Sequence, residues 1–126
     1  MAEVDIKTEL YLVPPGTLVE ASGDAEAFAV PTDGPRLFVC RLEITEVIEQ
    51  ESLELSLWGS PDGQNWGTRP LIKFPQRFYT GTSQMVLDLS LHPEVKFIRA
   101  RWEVNRWGRG RPRPRFRFGV SARPAA

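Results

Sequence analysis

Among its 126 residues the chain has one cysteine, one histidine and three lysines. A lone Cys40 excludes an intrachain disulfide. With the lone His92 it also excludes the usual cysteine and histidine sets that hold zinc. Cys40 sits among Leu37, Phe38, Val39 and Leu42, the surroundings of a small core residue rather than a reactive thiol. His92 lies between Leu91 and Pro93, a turn setting, and no Gly-x-Ser-x-Gly or comparable signature offers it a nucleophile. No apolar run approaches the roughly 18 residues of a membrane span. The acidic start Met1–Asp5 lacks the basic-then-apolar pattern of a secretion signal. These absences predict a soluble, non-enzymatic protein with no cofactor, made in the cytoplasm without a signal peptide.

What is present describes one globular domain spanning residues 1–126. Hydrophobic residues make up 41% and charged residues 25%, which excludes disorder for the chain as a whole. The 16 basic and 16 acidic residues cancel, so a globally basic nucleic-acid binder is not indicated. The charge is nonetheless split. Residues 1–63 carry 3 basic and 13 acidic residues, and residues 64–126 carry 13 and 3. The simplest account is two halves that interleave and neutralise each other in one fold. Complementary contact between copies, giving a homo-oligomer, is the other account.

Period two runs through nearly the whole sequence. Ile6, Thr8, Leu10 and Leu12 read as a strand closed by Pro14-Pro15-Gly16. A weaker pair follows, around Leu18-Val19 and Phe28–Val30. Phe38, Cys40, Leu42 and Ile44 form a long strand that slips phase by a bulge before Val47 or Ile48. Leu53, Leu55 and Leu57 form another. Leu71–Phe74, flanked by Pro70 and Pro75, reads as an edge strand. Met85, Leu87 and Leu89, then Ile98, Ala100, Trp102 and Val104, then Phe116, Phe118 and Val120 complete the set. About seven or eight strands with Gly/Pro turns predict an all-β fold, an antiparallel two-sheet β-sandwich of jelly-roll-like form. Its expected core comprises Leu42, Ile44, Leu55, Leu57, Leu87, Ile98, Ala100, Trp102 and Phe118.

Ser60-Pro61-Asp62-Gly63-Gln64-Asn65-Trp66 is the densest local signal. Proline presets the first corner of a type I turn, Asp62 suits the second, and Gly63 takes the left-handed position after it. A tight hairpin with a Gly bulge follows, with Trp66 capping the end of the core. This stretch resembles the S-x-D-G-x-x-W turn of many bacterial and phage β-sandwich domains, discoidin-type carbohydrate-binding domains among them. Val95–Ala100 resembles the strand that follows that turn, and Phe116–Val120 resembles the last strand of small phage structural proteins. The likeness spans roughly residues 36–121. The paired terminal cysteines of discoidin domains are missing, and the chain is shorter than those domains. The resemblance implies a structural or interaction module: a virion or particle decoration protein, or an adhesion domain. The opposite charge of the two halves adds the expectation that it self-associates, as a homo-oligomer or in a larger protein assembly.

Three groups of residues are candidates for contact. Trp107, between Arg106 and Gly108, is the best candidate for an exposed aromatic. Phe78 and Tyr79 before Gly81 suggest a second aromatic loop. Such rings stack on sugars or anchor a partner protein, which makes a carbohydrate-binding module the alternative function. Arg109, Arg111, Arg113, Arg115 and Arg117 alternate, and with Arg99, Arg101 and Arg106 they form an arginine-rich segment over 99–117. It reads as a polyanion or nucleic-acid stripe or, preferably given the equal acid count, as a ladder against the acidic first half. Glu43, Glu46, Glu49, Glu51 and Glu54 are read as a solvated acidic face rather than a glycosidase pair. Asp24, Asp33, Asp62 and Asn65 lack the alternating pattern of a calcium loop, so no metal is expected.

Overall fold

The computed structural model describes residues 9–107 and 113–125. The alternating segments become β1 (Leu10–Val19), β4 (Leu37–Val47), β5 (Glu51–Ser60), β7 (Gly81–Asp88), β8 (Phe97–Arg106) and β9 (Phe116–Pro124). Three two-residue strands join them: β2 (Gly23–Asp24), β3 (Phe28–Ala29) and β6 (Ile72–Lys73). One sheet runs β1-β9-β4-β7 and the other β2-β8-β5-β6, with β3 also on β8, and every pairing is antiparallel. The chain changes sheet at each connection from β4 onward, apart from the β5–β6 link. Strands distant in sequence therefore become neighbours. Among the described residues the one helical element is a 3-10 turn at Leu89–Leu91. No helix of the described residues is long and apolar enough to cross a membrane.

The two inner faces interdigitate as the alternation requires. Leu42, Ile44, Leu55, Leu57, Leu87, Ile98, Ala100 and Phe118 are all buried, with Phe74, Phe116 and Cys40 beside them. Burial pushes the Cys40 thiol up to about 12, which leaves it inert. Trp102 corrects the expected core. Its inward phase is as read, but β8 is flanked there by the two-residue β2, so the ring is half-buried. It lies edge-on to Phe118, with centroids 5.7 Å apart, over Gly23, and its indole N–H donates to the Ala21 carbonyl. It seals a seam and does not fill the centre.

The first strand also departs from the expectation. Pro14-Pro15-Gly16 does not close it; β1 runs through them to Val19. From Tyr11 to Thr17 the chain advances six residues while β9 advances three, from Ser121 to Phe118, so the extra residues loop outward as bulges. Gly16 takes φ 73°, and the Thr17 hydroxyl donates to the Pro14 carbonyl. The bulge rests on Gly119. A Cβ there would stand 2.8 Å from the Pro15 Cα and 3.2 Å from its nitrogen. The expected slip in β4 falls at Thr45, between the pairs Ile44↔Phe118 and Glu46↔Arg117.

Because backbone rather than a flexible side chain faces Gly119, Gly119→Ala is expected to destabilise the fold by about 1–3 kcal/mol. Urea unfolding measures it, and a change under about 0.5 kcal/mol would mean that β1 does not press on β9 at this point.

Candidate functional site

The end of the sandwich where β4 passes to β5 is organised by a carboxylate. Glu51 is 1% exposed, in phase with the inward Leu53, Leu55 and Leu57. It is not part of a solvated face. Its Oε2 accepts the Ile48 N–H at 2.9 Å and its Oε1 accepts the Arg115 N–H at 2.6 Å. A buried carboxylate needs such donors, since its desolvation is otherwise uncompensated. The connection Ile48-Glu49-Gln50 is thereby held tight, with Gln50 in the left-handed region at φ 59°. The Gln50 carbonyl accepts the Trp107 N–H at 3.0 Å, and the Glu49 carbonyl faces Arg106 Nε at 3.4 Å.

A second segment reaches the same end. Arg77 and Leu53 exchange backbone hydrogen bonds of 2.8 and 2.9 Å, an isolated bridge on β5. Phe78 and Tyr79 follow directly. Phe78 meets Trp107 edge-to-face, with centroids 6.1 Å apart and planes at 74°, and Tyr79 lies 6.4 Å from Phe78 at 55°. The three rings are 40%, 79% and 54% exposed in the order Phe78, Tyr79, Trp107. Between them and Val47–Glu51 runs an open groove of about 470 Å³. The two aromatic candidates read separately from sequence are thus one surface, and Arg106 precedes Trp107 at the end of β8. Arg113 is exposed. Arg109 and Arg111 lie outside the described residues.

The arginines do not form a single stripe. Arg99 and Arg101 project from the outer face of the β8 sheet, where Asp24 lies 3.8 and 3.7 Å from them. Arg115 and Arg117 belong to the other sheet's strand and its approach, where both meet Glu46 Oε2, at 3.2 and 3.5 Å. The Arg99 guanidinium stands over the Trp66 ring at 4.3 Å and Arg101 over Trp58 at 5.5 Å. Neither tryptophan caps the core, as the sequence suggested for Trp66. Both lie outside the sheet and support arginines by cation–π contact. Lys73 meets Glu54 at 3.3 Å and Arg41 meets Glu43 at 3.1 Å.

The turn at residues 60–66 forms as its residues demand, though not as a tight hairpin: the chain reaches β6 only at Ile72. Ser60 Oγ accepts the Asp62 and Gly63 N–H groups and donates to Asp62 Oδ1. Asp62 Oδ1 also accepts from the Gln64 and Asn65 N–H groups at 2.9 and 2.8 Å. Gly63 has φ 79°. The Asn65 and Gln64 amides, with the Ser60 hydroxyl, hold the Asp62 carboxyl below its ordinary value of 3.8. Asp62 is occupied by its own turn, and Asp24 by two arginines. Among the described residues no group of three or more His, Cys, Asp or Glu is placed to hold a metal ion. His92 is half-buried beside Glu94, its Nδ1 3.8 Å from that carboxylate, and its carbonyl accepts from Arg36 at 2.9 Å.

Sequence reasoning missed Glu51 as a buried group and Arg36 as a clamp on the Leu89, His92 and Val95 carbonyls. For Glu51 a signal existed, since it shares parity with three inward leucines. For Arg36 none did, because its partners lie more than fifty residues away. No protein-family model matches this chain, and no curated protein does.

Glu51→Ala leaves two backbone N–H groups without acceptors and should cost about 2–4 kcal/mol. The exposed Glu49→Ala should change stability by under about 0.5 kcal/mol. Chemical unfolding of both variants checks the contrast. Because the folded pKa of Asp62 is depressed, its contribution to stability is present above the unfolded value of 3.8. That contribution disappears as pH falls through the lower folded value. Asp62→Asn should therefore flatten the acid limb of a stability–pH curve, and an unchanged limb would remove the turn's carboxylate from the account.

Proposed function

We propose that the chain is a non-enzymatic interaction module that joins a larger protein assembly through the aromatic end formed by Trp107, Tyr79 and Phe78. The observation that carries this reading is the meeting of three exposed rings from two chain segments on one end of the sandwich. Exposed Trp and Tyr are frequent anchors of protein interfaces, and the Trp107 backbone is held by the Gln50 carbonyl. The ring planes stand at 74° and 55° to one another, so they form wedges rather than the flat platform on which a sugar chain stacks. The pairing of Arg99, Arg101, Arg115 and Arg117 with Asp24 and Glu46 counts against a polyanion stripe. Because these pairs lie within one copy, they weaken charge complementarity between copies as the motive for association and favour the aromatic end in that role. A virion or particle decoration role, or an adhesion role, is the setting that the S-x-D-G-x-x-W resemblance implies.

A carbohydrate is the second reading, favoured by the groove of about 470 Å³ where Glu49 and Gln50 line one wall beside Trp107. The two separate in one pair of measurements on the purified chain: sedimentation over a concentration series, and migration through gels cast with soluble polysaccharides. The assembly reading expects mass above the monomer that Trp107→Ala with Tyr79→Ala lowers, and unaltered migration. A chain monomeric throughout and retarded by a polysaccharide, with retardation lost in the same variant, would replace it with the carbohydrate reading.

A further inference from the structure

Two open sheets have four edges, and among the described residues three of them offer no long uninterrupted strand for further pairing. β1 carries Pro14, Pro15 and its bulges, which break the row of donors. β6 is two residues long between Pro70 and Pro75, and β2 and β3 are two residues each. β7 is different. It pairs with β4 without interruption from Leu37↔Asp88 to Ile44↔Gly81, eight residues in register. Gly81-Thr82-Ser83-Gln84-Met85-Val86-Leu87-Asp88 contains no proline, no lysine or arginine and no bulge, the devices by which an edge is normally protected.

Among the described residues no strand pairs with the outer side of β7, and that edge can be specified group by group. The Leu89 N–H donates to the Arg36 carbonyl at 2.7 Å, and Arg36 and Leu89 continue the β4–β7 register. Residues in phase with Leu89, namely Leu87, Met85 and Ser83, therefore turn their backbone groups toward β4. Thr82, Gln84, Val86 and Asp88 turn theirs outward. Met85 packs against the core yet stays half-buried, and Val86 is 58% exposed on the outer face.

We infer that β7 is a self-pairing edge: a second copy of the chain adds its own β7 antiparallel across a twofold axis, joining two four-stranded sheets into one of eight strands. The inference deepens the assembly reading and rests on it. The occupant follows from the strand's own chemistry. With the axis at Gln84, each Thr82 faces the Val86 of the other copy, and each Gln84 faces itself. The strand's single charge, Asp88, then lies at the far end from its own counterpart, so no like charges meet. Odd-numbered side chains of both copies face the two cores, so Met85 becomes covered. Phe78 and Tyr79 lie just before β7, separated from Gly81 by Thr80, so the edge leads into the aromatic end.

The test uses the full chain in sedimentation equilibrium with three substitutions. Gln84→Pro removes an outward N–H and leaves the β4 ladder intact. Gln84→Glu faces Arg41 within the chain but meets its own copy across the axis. Each should weaken the dimer by about tenfold or more, with the far-UV strand spectrum unchanged. Gln84→Cys should form a disulfide-linked dimer on mild oxidation, since Cys40 is buried and does not compete. If Gln84→Pro fails to fold, the Glu and Cys variants decide. Association lost on Trp107→Ala with Tyr79→Ala but unaffected by Gln84→Glu, with no crosslink in the Gln84→Cys variant, would overturn the β7 pairing and leave the assembly reading standing. A wild-type chain monomeric at every concentration would overturn the pairing too. Crosslinking with dimer loss in Gln84→Glu supports the edge; if the aromatic variant then leaves the dimer intact, the chain associates through β7 and the rings are removed from that contact.

Discussion

A single buried carboxylate fixes the end of the molecule on which the functional reading depends. Glu51 opens β5, yet its two acceptors reach the β4–β5 connection and the residue that leads into β9. β4 and β9 belong to one sheet and β5 to the other, so one side chain ties the two layers where they are joined by a short link. Taking a carboxylate out of water is costly, and two charge-assisted bonds to backbone N–H groups offset much of that cost only when both are short and well aimed. The link is therefore held to one conformation, with Gln50 in the left-handed region despite its side chain. The carbonyl of that residue then fixes the backbone of Trp107. Conformation passes from the carboxylate through the turn to the ring.

The opposed charges of the two halves perform a different task. Asp24 and Arg101 are direct cross-strand partners, as are Glu46 and Arg117. Each exposed pair adds only about 0–1 kcal/mol, so these contacts contribute little to total stability. Register is where they matter. A one-residue slip would send each arginine to the inner face and its carboxylate partner out of reach. Trp58 and Trp66 reinforce the placement by lying under Arg101 and Arg99. A planar guanidinium suits both contacts at once, stacking by its face and pairing by its edge, which a lysine ammonium cannot do.

Alternation located the strands because burial of one face has a period of two wherever a sheet covers a core. It also placed Ile98, Ala100 and Phe118 inside and Arg99, Arg101 and Arg117 outside. It failed where the deciding contact is remote. Pro14-Pro15-Gly16 carries every local sign of a strand end. The strand continues because Gly119, near the other end of the chain, leaves room for a bulge. Trp102 has the inward phase of a core residue, but phase says nothing about how far a neighbouring strand extends, and β2 stops after Asp24. The aromatic candidates were legible one by one as rings in polar loops. That Phe78 meets Trp107 was not, since it follows from the Arg77–Leu53 bridge and from Glu51, neither of which leaves a local pattern.

Rigidity and exposure normally oppose each other, and at this end of the sandwich they coexist. Trp107 follows the last residue of β8 and is bonded to Gln50; Phe78 follows a residue bonded to Leu53 on both its N–H and its carbonyl. Neither ring depends on its own burial for position, so both stay available to solvent while their backbones are set. Ordering a side chain on association costs about 0.5–1.5 kcal/mol when it is free beforehand. Two aromatic rings that rest on one another before contact lose less of that freedom than separate rings on mobile loops. Tyr79, the most exposed of the three, is placed by its neighbour in the chain. A surface built in this way favours a partner that fits the existing wedge over one that must reshape it, and that is the physical basis for reading the end as a docking point for another folded protein.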